Sequence, residues 1–595
     1  MTPNAVSTGS RRSTPSPSDS TRSRSDSTPS PSDSTPSRGG SGQTRRGFLA
    51  SSAVAAAAVA GGAPLLAACG GGDTGAGKKD GTTTGKDAAK ILPAFAASTV
   101  VAPDIAPKNG SAAGFTRAIP AAELKASVAA KKGKDGALTI MAPFWGPPPA
   151  SDNPYYKAMN EAIGVRATWQ NQDGNVYDQK LGAVLASSEI PDVVVVPGWN
   201  LGGKIPSAIN AKFEDLGPYL SGDKVKAYPN LAAVPTDAWQ RSIFGGKLRG
   251  LPMPASYVTN IAPFYRKDLF DAKGWQLPKS ADEFLALAKE ITSAKAKVWA
   301  CGDMTWTAYN MFGVLSGSDK ALGWHLLDGK LVNRIETPEY LEALAWTRKL
   351  YDAGVVHPDE KTQNQGDTSL RFTAGQCLVY NNDLSHWYAK TSEQAAQNPS
   401  FAMAAMDIPG HAGGTPKLWA TNPANIWAFV RKGSSKAVVE DALAIADFTA
   451  APYGTKERML TDYGVEGVHH TVKDGLPVKT DKGNQEVSSS WLFLASPAPY
   501  VAHPDTPDVT RAMIEWQQRM GAVTSKSSFY GMTISEPSQW TGLMNDFEQL
   551  EKDIVRGRKK VSDMQQAVSE WKTKGGDDLR DWYKKLLDAN GSAAS

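Results

Sequence analysis

Apolar runs alternate with helix-periodic stretches from about residue 137 onward. The segments Ala137–Met141 and Pro191–Val196 are short and apolar, and the valines of the second are typical of a strand buried on both faces of a parallel sheet. Between them, Tyr155–Ile163 and Tyr177–Ser187 carry apolar residues at helical spacing. The order strand, helix, strand predicts an α/β fold.

The rest of the chain continues this alternation. Ser280 and Glu283 are spaced as a capping box, in which each side chain bonds a free amide at the start of a helix. Pro338 stands at the tolerated first position of another helix. We predict helices over 280–291, 337–351 and 437–448, strands over 375–380 and 419–430, and a mostly helical C-terminal region.

The first part of the chain has the composition of a leader rather than of a folded domain. Residues 7–43 are almost entirely Ser, Thr, Pro, Gly, Arg and Asp, so we predict a disordered leader over 1–43. An alternative is that translation starts downstream of this tail. Residues 70–136 are first Gly- and Thr-rich and then Ala- and Pro-rich, which predicts a flexible tether.

Residues 44–69 resemble an export signal. Arg45 and Arg46 precede Phe48 and a mostly alanine run, an order similar to a twin-arginine signal. The run ends in Leu66-Ala-Ala-Cys69-Gly70, which resembles a bacterial lipobox. This resemblance implies that Cys69 carries a lipid anchor; the alternative is an N-terminal helix with a chance cysteine.

The charge of the chain lies in this leader. The 595 residues include 64 Lys+Arg and 60 Asp+Glu, and residues 1–68 hold seven Arg against three Asp. The remainder therefore has 57 basic and 57 acidic residues, which argues against a nucleic-acid partner. Three cysteines are too few for a disulfide framework, and we expect Cys301 and Cys377 to be free, buried thiols.

Two tryptophans follow the first two predicted strands. Trp145 comes directly after the first strand, and Trp199 with Asn200 follows the second. Ligands of open α/β sheets bind at the carboxyl ends of strands. The sequence therefore places both rings where a ligand is expected.

Four ordered stretches resemble the bacterial extracellular solute-binding proteins, family 1. Tyr265–Phe284 is similar to the stretch that enters their second lobe, and three others point to the large lipoprotein branch: Asp328–Tyr340, Asp462–His470 and Ile554–Asp577. The resemblance implies a two-lobed periplasmic-binding-protein-like fold of type II, with a ligand cleft that closes by a hinge. It places lobe I at 137–262 and 420–475, and lobe II at 263–419 and 476–590.

The resemblance also implies a function without a chemical reaction. The protein is expected to capture a carbohydrate, an oligosaccharide rather than a monosaccharide, and to deliver it to the permease subunits of an ABC importer. It is expected to act as a lipid-anchored monomer on the outer face of the bacterial cytoplasmic membrane. Two alternatives stay open: a surface-anchored carbohydrate-active enzyme, and a sugar receptor for a sensor kinase.

Sugar sites combine stacked aromatic rings with polar side chains around the hydroxyl groups. Trp199 and Trp387 are the preferred rings, because each follows a strand within a loop; any of these rings could instead belong to the core. The candidate ligand-binding residues are Trp145, Trp199, Asn200, Tyr257, Trp306, Tyr309, Asn382, Asp383, His386, Trp387 and Trp419.

No cofactor, metal or catalytic group is expected. Residues 271–278 have one carboxylate where some large members carry a calcium loop, and calcium needs six to eight oxygen ligands. His469 and His470 point to opposite faces if they lie on a strand, so we expect a surface or cleft-edge pair rather than a metal site. The sequence contains no nucleophile elbow, Walker loop or Cys-x-x-Cys motif.

Overall fold

The structure is a computed structural model that describes residues 86–591, apart from 151, 318, 363–367, 474 and 541. The predicted leader, the export signal and Cys69 lie outside these residues. The strands are β1 (Ala113–Phe115), β2 (Ala137–Phe144), β3 (Arg166–Asp173), β4 (Val193–Pro197), β5 (Ile243–Phe244), β6 (Lys247–Leu248), β7 (Gly250–Pro254), β8 (Ile261–Tyr265), β9 (Trp299–Cys301), β10 (Trp324–Leu327), β11 (Lys330–Asn333), β12 (Cys377–Asp383), β13 (Ala404–Ala405), β14 (Leu418–Trp419), β15 (Ala424–Val430), β16 (His470–Lys473), β17 (Leu476–Lys479), β18 (Tyr500–Ala502) and β19 (Thr524–Ser525).

The helices alternate with these strands. They are α1 (Lys86–Ala89), α2 (Pro154–Ile163), α3 (Tyr177–Ala186), α4 (Ile205–Lys212), α5 (Gly217–Leu220), α6 (Pro229–Ala232), α7 (Thr236–Gln240), α8 (Lys267–Lys273), α9 (Ala281–Ile291), α10 (Thr305–Phe312), α11 (Pro338–Asp352), α12 (Thr368–Thr373), α13 (Ser385–Ala395), α14 (Lys436–Thr449), α15 (Lys456–Tyr463), α16 (Asp481–Glu486), α17 (Pro507–Ala522), α18 (Asn545–Val555), α19 (Val561–Trp571) and α20 (Asp577–Asn590). The predicted α/β class is confirmed.

The first lobe is built on a five-stranded sheet in the order β3-β2-β4-β15-β7. Strand β2 runs parallel to β3 and β4, whereas β15 is antiparallel to both β4 and β7. Every residue of β4 is buried, as its valine run predicts. Helices α2, α3 and α14 pack in the same apolar core.

The second lobe is built on a four-stranded sheet in the order β13-β8-β12-β9. Strand β12 runs parallel to β9 and antiparallel to β8. Its core takes in helices α9, α10, α11 and the C-terminal helices α17 to α20. The predicted helical C-terminus is therefore part of the second lobe's core.

The cap of α9 is confirmed with one change. The Ser280 hydroxyl accepts a hydrogen bond from the Glu283 amide at 3.1 Å, as predicted. The Glu283 carboxylate accepts from the Lys279 amide at 2.8 Å rather than from Ser280. The amides of Lys279 and Glu283 are thus both bonded.

Residues 86–136, here called the N-terminal strap, are packed on both lobes, which differs from the flexible tether expected there. Ala88 lies in the first core and Ala112 in the second. Strand β1 pairs in parallel with β18, and Lys132 Nζ lies 2.8 Å from an Asp447 carboxylate oxygen. The strap is held by backbone pairing, by small side chains such as Ala88 and Ala112, and by the buried Phe115 and Ile119. These buried positions have no helical or strand periodicity in the sequence.

The return from the second lobe to the first also differs from expectation. Residues 491–495 pack in the first core, although the predicted ranges give 476–590 to the second lobe. The rings of Trp491 and of Trp169 on β3 meet edge to face, with centroids 5.0 Å apart. The burial of this tryptophan explains why the chain returns to the first sheet.

The remaining thiols are free and buried, as predicted. Cys301 and Cys377 lie on the paired strands β9 and β12. Burial raises the pKa of Cys377 to about 12 and holds the pKa of Cys301 well above its usual value. Within the described ranges, no helix has both the length and the apolar character needed to cross a membrane.

Candidate functional site

Trp145 and Trp199 meet at one edge of the first sheet. They follow the carboxyl ends of β2 and β4, which are neighbouring parallel strands. Their ring centroids are 6.3 Å apart and their planes are inclined by 53°. The side chains are 47% and 57% exposed, so two large apolar rings face solvent side by side. We call them the tryptophan pair.

An aromatic residue from a distant part of the chain supports the pair. The rings of Phe493 and Trp145 meet edge to face, with centroids 6.3 Å apart and planes inclined by 78°. It lies in the short 3₁₀ helix Ser489–Phe493 and is itself buried in the first core. The tryptophan pair therefore rests on the core rather than on a loop alone.

Amide side chains border the tryptophan pair. Trp199 and Asn200 share a single 3₁₀ turn, Gly198–Asn200. The Asn200 Oδ1 atom is buried and accepts no hydrogen bond from the described residues. The Asn425 amide lies so close to Gly198 that a Cβ there would overlap it. Such amides can bond hydroxyl groups, which are both donors and acceptors.

The corresponding edge of the second sheet is joined to this one by a short crossing. Strand β7 ends at the tryptophan edge, because Met253 and Pro197 both pair with Ile426 of β15. Residues 255–260 then lead to Ile261, which pairs with Asp383 at the end of β12. Six residues span at most roughly 20 Å. The two edges where strands end therefore lie on either side of the junction between the lobes.

Asn382 and Asp383 lie at this second edge, where they also fix the local backbone. Asp383 accepts hydrogen bonds from the Asn260 side chain at 2.5 Å and from the Ser385 amide at 2.8 Å. Asn382 accepts from the Asp383 amide at 2.8 Å. Part of their bonding capacity is thus used to hold the crossing and the start of α13.

His386 lies one turn further on and is half-buried. Its Nδ1 is 3.4 Å from the Tyr380 hydroxyl. Burial, followed by the nearby charge of Lys390, lowers its pKa. The imidazole is therefore uncharged at neutral pH.

Trp387 belongs to the core, contrary to the expectation that it lines the cleft. Its side chain is 5% exposed, and its indole N–H donates to the Met403 carbonyl at 3.0 Å. The ring meets Phe264 of β8 edge-on at 5.9 Å. Helix α13 begins at Ser385, so Trp387 is helical and faces the sheet instead of lying in a loop.

Trp306 and Tyr309 border a cavity of about 710 Å³ within the second lobe. Trp306 is 43% exposed at the start of α10. Tyr309 is buried: it stacks on Tyr340 at 5.8 Å, and the Arg334 guanidinium lies 4.7 Å from its ring. Burial holds the pKa of Tyr309 well above its usual value.

Charged groups of both signs line this cavity, and several are already paired. Lys552 lies 2.6 Å from Glu548, and Tyr340 donates a hydrogen bond to Glu551. Other charges of the lining are unpaired: the buried Nε and Nη2 atoms of Arg334 have no hydrogen-bond partner among the described residues. The cavity offers one exposed ring, Trp306, where the first sheet offers two.

Trp419 and Tyr257 lie near the crossings and are mostly covered. Trp419 is buried and its indole N–H donates to the Gly313 carbonyl at 2.8 Å. Tyr257 is half-buried, 6.1 Å from Tyr530, and accepts the Thr421 amide on its backbone carbonyl at 2.8 Å. Trp419 therefore packs within the second lobe, whereas Tyr257 belongs to the crossing between the lobes.

His469 and His470 are buried, which corrects the expectation of a surface or cleft-edge pair. His469 Nε2 lies 3.0 Å from Glu486, and its Nδ1 accepts from the Val465 amide at 3.0 Å. His470 Nδ1 lies 3.0 Å from the Tyr463 carbonyl. Each imidazole is engaged in fixing the turn that leads into β16.

The comparisons with known proteins agree on one family. A family model for bacterial extracellular solute-binding proteins matches residues 154–486. Lipoprotein LipO of Bacillus subtilis (strain 168) is 23% identical over 375 residues, which are 60% of this chain and 72% of LipO. The polygalacturonan/rhamnogalacturonan-binding protein YtcQ of the same strain is 23% identical over 304 residues, or 50% of this chain and 59% of YtcQ.

A solved structure shows the same fold. The HMO binding, ABC-transporter associated solute binding protein of Bifidobacterium longum infantis ATCC 15697 has a TM-score of 0.59 and 15% identity. The similarity covers 77% of this chain and 99% of that one. The predicted two-lobed, periplasmic-binding-protein-like fold of type II is confirmed.

Proposed function

The chain belongs to the bacterial extracellular solute-binding protein family, and on that premise we propose that it captures an oligosaccharide between its lobes and releases it unchanged to an ABC import permease. The observation that carries this proposal is the tryptophan pair at the strand ends of the first sheet. Binding by hinge closure makes and breaks no covalent bond, so the relevant quantities are the ligand affinity and the closed fraction.

The exposure of two adjacent indoles favours a ligand with flat apolar faces. Large apolar rings that face solvent as a group mark interaction sites rather than ordinary surface. Pyranose rings present C–H faces that pack on aromatic rings, and their hydroxyls can bond amides such as Asn200 and Asn425. YtcQ is a polygalacturonan/rhamnogalacturonan-binding protein and the Bifidobacterium protein is an HMO binding one, which supports a carbohydrate ligand for this chain.

The connections between the lobes supply the hinge in this proposal. The crossing at residues 255–260 and the chain before β15 run side by side: Ala255 donates to the Pro423 carbonyl at 2.8 Å. Closure would bring Asn382 and Asp383, on the second sheet, toward the tryptophan pair. Two lobes joined by a few crossing segments are the usual basis of such a motion.

The proposal places the protein on the outer face of the cytoplasmic membrane. The lipobox-like sequence at Cys69 and the name of the relative LipO, a lipoprotein, support a lipid anchor. Mass spectrometry of the protein from membranes should find a diacylglycerol group on Cys69. Replacement of Cys69 by Ser should move the protein to the soluble fraction; unchanged membrane retention of that variant contradicts the anchor.

Calorimetric titration tests the function directly. The full chain is titrated with a panel of neutral and acidic oligosaccharides, and the ligand is recovered and analysed by chromatography. We expect saturable binding of one ligand per chain with the sugar recovered intact. Cleavage of the sugar would favour a carbohydrate-active enzyme, and a lack of binding to the whole panel would contradict a carbohydrate receptor.

A further inference from the structure

Gly174 lies directly beneath one ring of the tryptophan pair. It follows the end of β3, which is the neighbour of β2 in the sheet, so Gly174 and Trp145 share one edge. A Cβ atom added at Gly174 would overlap Cε2 and Nε1 of the Trp145 indole, and these are its nearest neighbours. The ring therefore packs flat against the Gly174 backbone.

The backbone at Gly174 does not itself require glycine. Its φ is not in the left-handed region, where a side chain would be strained. The space occupied by the Trp145 ring is thus the feature that an alanine would disturb. This separates Gly174 from a turn glycine such as Gly433, whose positive φ explains the residue without reference to a ring.

The packing on Gly174 determines which face of Trp145 a ligand can reach. One face is covered by the Gly174 backbone, and the rings of Phe493 and Trp145 meet edge to face. Because Trp145 is still 47% exposed, the accessible part is the opposite face. The orientation of the indole is fixed before any ligand binds.

The geometry of the pair excludes one mode of sugar binding. A sugar ring held between two aromatic planes needs roughly 7–8 Å between them, because each carbon contact has its optimum at about 3.5–4.0 Å. The two indole centroids are only 6.3 Å apart and their planes converge at 53°. A sugar ring therefore cannot be held between the two indoles, and a sugar can contact each indole only on a face that is open to solvent.

From these observations we propose that Gly174 is a positioning residue and that the tryptophan pair forms a surface for two consecutive sugar units, one on each indole. The proposal rests on the proposed function, because it concerns how the same site binds its ligand. The ligand class it specifies is an oligosaccharide of at least two units with adjacent apolar faces. A monosaccharide can contact only one ring of the pair.

A double-mutant cycle tests the role of Gly174. Dissociation constants are measured by calorimetry for the full chain, Gly174→Ala, Trp145→Ala and the double variant, against malto-, cello- and galacturono-oligosaccharides of one to six units. We expect Gly174→Ala to weaken binding of the preferred oligosaccharide roughly tenfold in the native background, which corresponds to a loss of about 1.4 kcal/mol. In the Trp145→Ala background it should change the affinity less than twofold.

Gly182→Ala is the matched control, because Gly182 lies in α3 with open space around its Cβ position. It should leave the affinity unchanged. An equal loss for Gly174→Ala in both backgrounds, or no loss in the native one, overturns the positioning role.

Chain length provides a second measurement that does not depend on the glycine variant. Affinity should rise at least tenfold from one to two sugar units, and Trp145→Ala should remove most of that gain. Equal affinity for one and two units overturns the two-unit surface even if binding itself is observed. Failure of the native chain to bind any member of the panel overturns the proposed function, and this proposal with it.

Discussion

The indole of Trp145 lies 6.3 Å from that of Trp199, although the two residues follow different strands of the first sheet. They meet because β2 and β4 are parallel neighbours, so their carboxyl ends coincide. Ligand binding at such an edge is the general rule for open α/β sheets. Here the sheet positions two rings that remain exposed to solvent.

Replacement of Trp199 by Ala should weaken oligosaccharide binding by about 1–3 kcal/mol and leave thermal unfolding nearly unchanged, because the side chain is more than half exposed. Calorimetry and differential scanning calorimetry provide the two readouts. Trp427→Ala is the control: Trp427 is fully buried in the first core, and its loss should destabilise the fold by about 3–5 kcal/mol. A large fall in melting temperature for Trp199→Ala, with unaltered affinity, would assign that ring to the core.

Replacement of Trp387 by Ala should lower the stability of the fold and leave the ligand affinity unchanged. The ring is buried against Phe264 and its N–H is bonded to Met403, so we expect a loss of about 3–5 kcal/mol in the free energy of unfolding. The affinity of the folded fraction should be unchanged. Trp387→Phe, which keeps an aromatic ring and loses the hydrogen bond, should cost less. A loss of affinity without a loss of stability would show that Trp387 belongs to the ligand site.

The packed strap makes a prediction about Gly110. Its φ is +77°, and a Cβ there would overlap the ring of Tyr257 at the crossing between the lobes. Gly433 has a φ of +80° and open space at the same position, so Gly433→Ala measures the backbone strain alone, about 1–2 kcal/mol. We expect Gly110→Ala to lower the free energy of unfolding, measured in urea, by clearly more than Gly433→Ala. Equal losses would mean that the strap is not held against Tyr257.

The stability should depend on pH through His503. Burial lowers the pKa of this histidine to about 4, whereas an unfolded histidine has a pKa near 6.5. Between these values the unfolded chain binds a proton that the folded chain does not, so stability falls as the pH decreases from about 6.5 to about 4. Urea unfolding of His503→Gln across this range should show a shallower decline than the native chain. Parallel pH profiles for the two proteins would contradict the assignment.

The sequence predicted features that depend on neighbouring residues. The buried β4 strand follows from its valine run, and the tryptophan pair follows from the rule that ligands bind where parallel strands end. Helix α2 and the cap at Ser280 are equally local. In each case the residues that determine the feature lie within one turn or one strand of it.

The features that the sequence missed depend on distant parts of the chain. Phe493 contacts Trp145 although it lies 348 residues further along the sequence. Gly174 matters only because an indole from another strand packs on it. The sequence predicts Trp387 in a loop that follows a strand, but the residue lies in a helix, because β12 extends to Asp383 and α13 begins at Ser385. The strap was predicted as a tether because alanine and glycine give no periodic signal, although their small size allows close packing on both lobes.

A crystal structure of the full chain with a bound oligosaccharide tests the central claim most directly. The account predicts two consecutive sugar units packed on the solvent-exposed faces of Trp145 and Trp199, with Asn200 or Asn425 bonded to a hydroxyl group. A sugar bound instead in the cavity beside Trp306, with both indoles of the tryptophan pair still facing solvent, would contradict it.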